Sequence, residues 1–232
     1  MSSLITEAAP APTHEAVDAL RRVAVFGALS ARAQRELEAH VTLRTHRRNT
    51  RIWDRGETSR EVLAVLSGRI QCSVPGHSGR GWVRAIHRSV ETCGLSSLVD
   101  GGPYICTVTA LERSRILHVD AEPLRAMLDH EPQFVFAVTR AVTQDLRKAV
   151  GQCSHLVLRT PLERLAGFLL ESADGSGNVR LRDTQGQIAA QIGTVREVVG
   201  RAFRRLEEDG VVVRRGRMVS VLDRDALVRL AR

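Results

Sequence analysis

The stretch from Thr184 to Gly210, TQGQIAAQIGTVREVVGRAFRRLEEDG, constrains the fold of this chain more than any other. Ile188, Ala189 and Ile192 give a first short helix an apolar stripe, and Gly193 interrupts it. Thr194 is the expected N-cap of a second helix, because its hydroxyl can accept a bond from an orphan N–H of the first turn. At about 100° per residue, Val199, Ala202, Phe203 and Leu206 fall on one side of that helix. Arg196, Glu197, Gly200, Arg201 and Arg204 fall on the other. A charged outer face at the N-terminal end of a second helix is the pattern of a helix-turn-helix, where that end meets base edges. An ordinary solvated helical hairpin shares the local pattern, so the surrounding chain has to decide.

A chain of 232 residues is expected to form two modest cores rather than one. Its net charge of +8 permits an anionic partner such as nucleic acid. The charge is dispersed, since residues 160–232 hold 13 Arg against 10 acidic residues, so the case rests on where individual arginines sit. There is no apolar run of the ~18 residues a membrane span requires, and no basic start followed by a long apolar core. A soluble, cytoplasmic protein with no membrane partner is expected. Cys72, Cys93, Cys106 and Cys153 show no CxxC or Cys/His ligand spacing, which predicts packed thiols and no metal site.

Residues 1–13 are Ala/Pro-rich and read as disordered. His14–Val25 and Ala31–His40 have helical periodicity, with Ser30 as a cap for the second. From Val41 to Asp120 the texture changes to short β-type runs (VTLRTH, RIWD, EVLAVL, RIQCSV, WVRAIH, YICTVTAL, SRILHVD) separated by turn signals, the pattern of an antiparallel sandwich or barrel. Glu122–His130 forms a short helix stopped by Pro132, and one long helix follows from about Gln133 to Leu158. Along it Val135, Val138, Val142, Leu146, Ala149, Cys153 and Leu156 recur at threes and fours, a narrow seam suited to pairing with an identical helix. Cys153 on that seam could face its symmetry mate. Arg159-Thr160-Pro161 breaks the helix. A helix (Leu162–Leu170), a strand (Val179–Arg182), the helix-turn-helix, a basic hairpin VVVRRGRMVSVL and a terminal helix from Arg224 complete the chain. The expected divisions are a β-domain over 14–132, a dimerisation helix over 133–158 and a DNA-binding domain over 159–232. An enzyme or redox protein built on the β-domain is the competing class, but no nucleophile–base pair, phosphate loop or metal cluster supports it.

This order of elements, with the Ser67-Gly68 turn after the valine/leucine strand of EVLAVLSGRI, the GLSSLVDGG loop, LERLAGFLL and above all IAAQIGTVREVVGRAFRRLEEDG, resembles the cyclic-AMP receptor protein/FNR family of bacterial transcription regulators. The resemblance spans about Ala24 to Leu230. It implies an α+β fold: an antiparallel β-roll of the cyclic-nucleotide-binding type, a long dimer helix and a C-terminal winged helix-turn-helix. It also implies a homodimer on double-stranded DNA, with RNA polymerase as a further partner class. Within the family, Arg-Glu, three residues, Arg is the base-reading set, here Arg196, Glu197 and Arg201. Arg can donate two parallel bonds to guanine O6 and N7, and Glu can accept from cytosine N4, which implies two-fold-related half-sites of the TGTGA type. Thr184, Gln185 and Arg204 are expected at phosphates, with Arg214, Arg215 and Arg217 of the wing adding to them.

The effector pocket departs from that family's pattern. The Gly-Glu that holds the ribose becomes Cys93-Gly94, the Arg-Ser pair that holds the cyclic phosphate becomes Tyr104-Ile105, and the hydroxyl pair on the long helix becomes Ala149-Val150. A cyclic phosphate without an Arg partner carries a large desolvation cost, so cyclic AMP is not expected in the usual pocket. An iron–sulfur cluster of the FNR kind is excluded because the first 71 residues contain no cysteine. No cofactor is predicted. Haem is the one alternative carried forward, since carbon-monoxide-sensing members place a ligand cysteine near Cys93 and the surrounding loop resembles that of nitric-oxide-responsive members. His40, His46, His77, His87, His118 and His130 have no diagnostic spacing for a second ligand.

Overall fold

The computed structural model describes residues 14–76 and 81–231. The predicted disorder of residues 1–13 and the side chain of His77 lie outside the described residues. The chain forms two compact units, one from residues through Cys72 with Ala85–Leu146, the other from Ser73–Arg84 with Arg147 onward.

The first unit opens with α1 (His14–Arg22), α2 (Ala24–Gly27) and α3 (Ala31–Leu37). Ser30 caps α3 as expected, accepting from the Ala33 N–H. Eight strands follow: β1 (Val41–His46), β2 (Arg51–Trp53), β3 (Glu61–Ser67), β4 (Ile70–Pro75), β5 (Gly81–His87), β6 (Thr92–Cys93), β7 (Thr107–Ala110) and β8 (Ser114–Asp120), with α4 (Leu95–Asp100) between β6 and β7. They form two four-stranded sheets, ordered β1-β8-β3-β6 and β2-β7-β4-β5. Neighbours pair antiparallel, with Val41 opposite Val119 and Leu63 opposite both His118 and Cys93. Leu63, Val65, Cys93 and Ile116 of the first sheet share a core with Trp53, Ile70, Cys72 and Val108 of the second. Alternation along the strands puts these residues between the sheets. The GLSSLVDGG segment, expected as a loop, contains the six-residue α4.

A second core lies under the N-terminal helices, where Leu20, Phe26 and Leu37 meet Leu117, Leu124, Phe134 and Val138. The last two come from the long helix α6 (Pro132–Leu158), which follows α5 (Ala121–Met127). Pro132 ends one helical stretch and begins the next, because its missing N–H costs nothing in a first turn. The Glu131 carboxylate accepts from both the backbone N–H and the hydroxyl of Ser30 (3.0 and 2.6 Å).

In the second unit α7 (Pro161–Ser172) begins with a full capping box between Thr160 and Glu163. After it come β9 (Asn178–Arg180), α8 (Gln185–Gln191), α9 (Arg196–Glu208), β10 (Val212–Arg215), β11 (Met218–Val221) and α10 (Arg224–Leu230). The three strands form one antiparallel sheet in the order β10-β11-β9. Leu165, Leu169, Ile188, Val199, Phe203, Leu206, Val219 and Leu227 make its core.

The predicted seam on α6 is corrected. Val138 is buried in the unit's own core and Val142 packs against the same core. The side chain of Leu156 is turned to Gly193. The apolar residues of α6 left exposed are Phe136, Leu146, Val150, Val157 and Leu158, together with Cys153. Positions 136, 139, 143, 146, 150, 153 and 157 alternate threes and fours, so a heptad stripe exists, rotated by one residue from the expected one. Leu146 and Cys153 belong to both. Val135 and Ala149 are half-buried, and the two threonines Thr139 and Thr143 complete the exposed stripe.

Candidate nucleic-acid interface

Thr184 caps α8: its hydroxyl accepts from Gln187 N–H, and the Gln187 side chain accepts from Thr184 N–H at 2.8 Å. The helix ends at Gly193, whose φ of +65° is a left-handed conformation that lets the chain reverse. The Thr194 N–H donates to Ala189 O at 2.8 Å. Thr194 does not cap the next helix, contrary to expectation. Val195 occupies the N-cap of α9 and makes no side-chain cap bond, so the first N–H groups of α9 have no hydroxyl over them.

The turn is held from one side by the end of α6. A Cβ on Gly193 would run into the Leu156 Cδ2 methyl, so any larger residue at this left-handed position would have to turn the Leu156 side chain aside. Arg164 on α7 donates to Leu156 O at 3.0 Å and to Gly193 O at 3.5 Å. The turn is thereby held by one carbonyl bond, at Gly193, and one apolar contact, from Leu156, while Arg164 is itself anchored on Leu156 O.

On α9 the inward face is Val199, Ala202, Phe203 and Leu206, all buried as predicted. Arg196, Glu197, Arg201 and Arg204 are exposed. Among the described residues none of these four makes an ion pair or a side-chain hydrogen bond, whereas Arg205 is paired with Asp209 at 2.9 Å. Gly200 lies beneath Gln185, whose Oε1 is 3.9 Å from where a Cβ would stand, so α8 and α9 approach closely there. Thr184 is exposed and Gln185 half-exposed. On the wing Arg215 and Arg217 are exposed, but Arg214 lies over the Phe203 ring (4.9 Å to the centroid) and 3.5 Å from Glu207, so its charge is already partnered.

Two residues of the expected effector pocket, Tyr104 and Gly94, are packed against Trp53 and Glu61. The Tyr104 ring stacks on Trp53 with centroids 3.8 Å apart and planes 5° from parallel. Its hydroxyl accepts from Arg60 N–H and Glu61 N–H (3.1 and 3.0 Å) and donates to Glu61 O (2.9 Å). Gly94 has φ of +100°, and a Cβ there would come 3.3 Å from Glu61 O and 3.4 Å from Trp53. Where the family pattern has a carboxylate and an arginine, this chain has a backbone that favours glycine and a locked aromatic plug. Ile105 is exposed, as is Val150.

Cys93 is not an isolated packed thiol. Its Sγ is 3.2 Å from Cys72 Sγ, and His87 joins them with all three ligand atoms within 4.8 Å of one another. The Cys106 thiol also hydrogen-bonds Cys72. Bonds from Cys106 and Cys93, then burial, push the Cys72 thiol well above its ordinary range, so it is protonated here. Cys93 is buried among these neighbours. Spacing could not reveal the cluster because four separate segments contribute to it. Cys153 alone is exposed.

A sheet sandwich followed by a pinned helix-turn-helix, with a winged hairpin behind it, defines a DNA-binding transcription regulator. The family profile described as a Crp-like helix-turn-helix domain matches residues 163–230, and that of the cyclic nucleotide-binding domain matches residues 43–131. The chain belongs to the CRP/FNR family. It is 28% identical over 187 residues to the transcriptional activator protein FnrA of Stutzerimonas stutzeri, covering 78% of this chain and 76% of that protein. It is 28% identical over 211 residues to the nitrogen fixation regulation protein FixK of Azorhizobium caulinodans, covering 87% and 84%. The solved structure of FixK2 from Bradyrhizobium japonicum has the same fold, with a TM-score of 0.71 at 23% identity over 83% of this chain and 98% of that one. Among the described residues no helix is long and apolar enough to cross a membrane.

Proposed function

We propose that the chain acts as a homodimeric regulator that reads two-fold-related, G·C-containing half-sites through Arg196, Glu197 and Arg201. The observation that carries this reading is the combination of exposure and freedom on α9: its reading face is solvent-exposed and unpaired while its opposite face is core. Guanidinium groups not already bonded are available for guanine edges without first breaking an ion pair. Thr184, Gln185 and Arg204 flank them for phosphates, with Arg215 and Arg217 on the wing. Arg214 drops out of that set. The exposed stripe of α6 supports pairing with a second copy. Cyclic AMP does not serve as effector through the usual pocket, because Tyr104 and Gly94 offer its phosphate and ribose no charged partner.

A selection from random duplex DNA, followed by titration of the selected site, tests the reading. Arg196→Ala and Arg201→Ala are each expected to cost about 5- to 150-fold on the selected site, matching roughly 1–3 kcal/mol per bidentate contact. Nonspecific affinity should change little, since it depends on phosphate contacts. Equal losses on specific and random DNA would remove the base-reading assignment, and failure to enrich any sequence would remove the regulator reading.

A further inference from the structure

We propose that the β-sandwich holds a zinc-class thiophilic metal ion between its two sheets, ligated by Cys72, His87 and Cys93. The donors come from three places in the chain. Cys93 lies on β6 of one sheet, and Cys72 on β4 and His87 on β5 of the other. All three are buried. The ligand atoms of Cys72, His87 and Cys93 lie within 4.8 Å of one another, and the two sulfurs are 3.2 Å apart. In a tetrahedral site with Zn–S near 2.3 Å and Zn–N near 2.0 Å, donor atoms stand about 3.5–4 Å apart, so small side-chain rotations suffice. The sulfurs are too distant for a disulfide bond, which needs about 2.05 Å.

Donor chemistry narrows the ion. Two sulfurs with one imidazole and no carboxylate favour zinc or copper(I) over calcium, magnesium or manganese. Charge separates the two survivors. The Cys72 and Cys93 thiolates neutralise a dication, whereas a monovalent ion would leave net negative charge buried in a core of Trp53, Val65, Ile70 and Val108. A bound ion would tie β4 and β5 to β6 across the sandwich, a link that no backbone hydrogen bond among the described residues provides.

The site is closed, so the ion is loaded during folding and the test is made on protein expressed in defined medium. From zinc-supplemented cells the full-length protein should carry about one zinc per chain, retained in Cys153→Ser and lost in Cys72→Ser and Cys93→Ser. From cobalt-supplemented cells it should show the intense ligand-field bands of tetrahedral cobalt(II) and a thiolate-to-cobalt charge-transfer band. That spectrum is measured on the unaltered protein and decides the matter if the serine variants do not fold. Metal-free protein from zinc medium, a cobalt form without the charge-transfer band, copper(I) in place of zinc, or a Cys72–Cys93 disulfide would each overturn the assignment.

Discussion

Gly193 carries two constraints at one atom, a φ of +65° and a Leu156 methyl in the place of its missing Cβ. A left-handed conformation costs an ordinary residue about 1–2 kcal/mol, and overpacking adds about 1–3 kcal/mol. Gly193→Ala should therefore destabilise the second unit by roughly 2–4 kcal/mol in urea titration. Adding Leu156→Ala should recover the steric part and leave the backbone part. A double variant no more stable than Gly193→Ala would mean that Leu156 is not the obstacle. Another residue-scale constraint is His46, whose Nε2 is 3.0 Å from His118 Nε2, with His118 Nδ1 2.9 Å from Glu61. Burial, then the charges of His118 and Arg44, lower the His46 pKa to about 4. In the unfolded chain it titrates near 6.5. Between these values the unfolded state binds a proton that the folded state refuses, so stability is full above the upper value and falls as pH drops through the window. Half-exposure limits the effect to about 1–2 kcal/mol. Melting temperatures from pH 7.5 to 4.5 should fall more steeply for the unaltered protein than for His46→Gln, and superimposable profiles would acquit His46. Neither histidine pairing nor the Cys72–His87–Cys93 cluster was legible from spacing, because strands far apart in sequence bring the groups together. The exposure of Arg196, Glu197 and Arg201 was legible, because helical period alone sets which side of α9 they occupy.

At the scale of elements, the same division holds for a physical reason. The strands from Val41 to Asp120 and the capped starts of α7 and α8 follow local rules: alternation, turn residues and the capping boxes at Thr160 and Thr184. What local rules missed was α4, too short for periodicity to show, and the two-residue β6, which pairs only because Leu63 and Ala64 supply an edge. The N-cap of α9 moved from Thr194 to Val195 because the Thr194 N–H is taken by Ala189 O, which extends the turn by one residue. On α6 the apolar period was visible but its division was not. Val138 and Val142 serve the chain's own core, and only packing tells an inward valine from an outward one one step around the helix. Arg164 is a similar case: its charge reads as surface, yet its guanidinium is spent on the carbonyls of Leu156 and Gly193.

At the scale of the whole molecule, the remaining question is how a single reading helix becomes specific. On the proposed reading one α9 offers three side chains to base edges, and contacts worth about 1–3 kcal/mol each cannot by themselves distinguish one operator within a genome. Net charge of +8 adds affinity but no sequence information. A second copy would double the readout and make the second contact intramolecular. The rotated stripe of α6 is the surface suited to it: Phe136, Leu146 and Val157 are 67, 62 and 81% exposed, more than isolated core-seeking side chains normally remain. The prediction follows for Leu146→Glu combined with Val150→Glu. Like charges facing each other across a two-fold axis should shift the protein to monomer in sedimentation while the melting of each unit stays unchanged. Affinity for a two-half-site operator should fall by about 10²-fold or more through lost avidity. Affinity for an isolated half-site should be preserved, because α9 is untouched. Val138→Glu would not make this distinction, since it would disrupt the core directly. If the Leu146/Val150 variant remains dimeric and binds its operator as before, the seam lies elsewhere and α6 serves only as a connector.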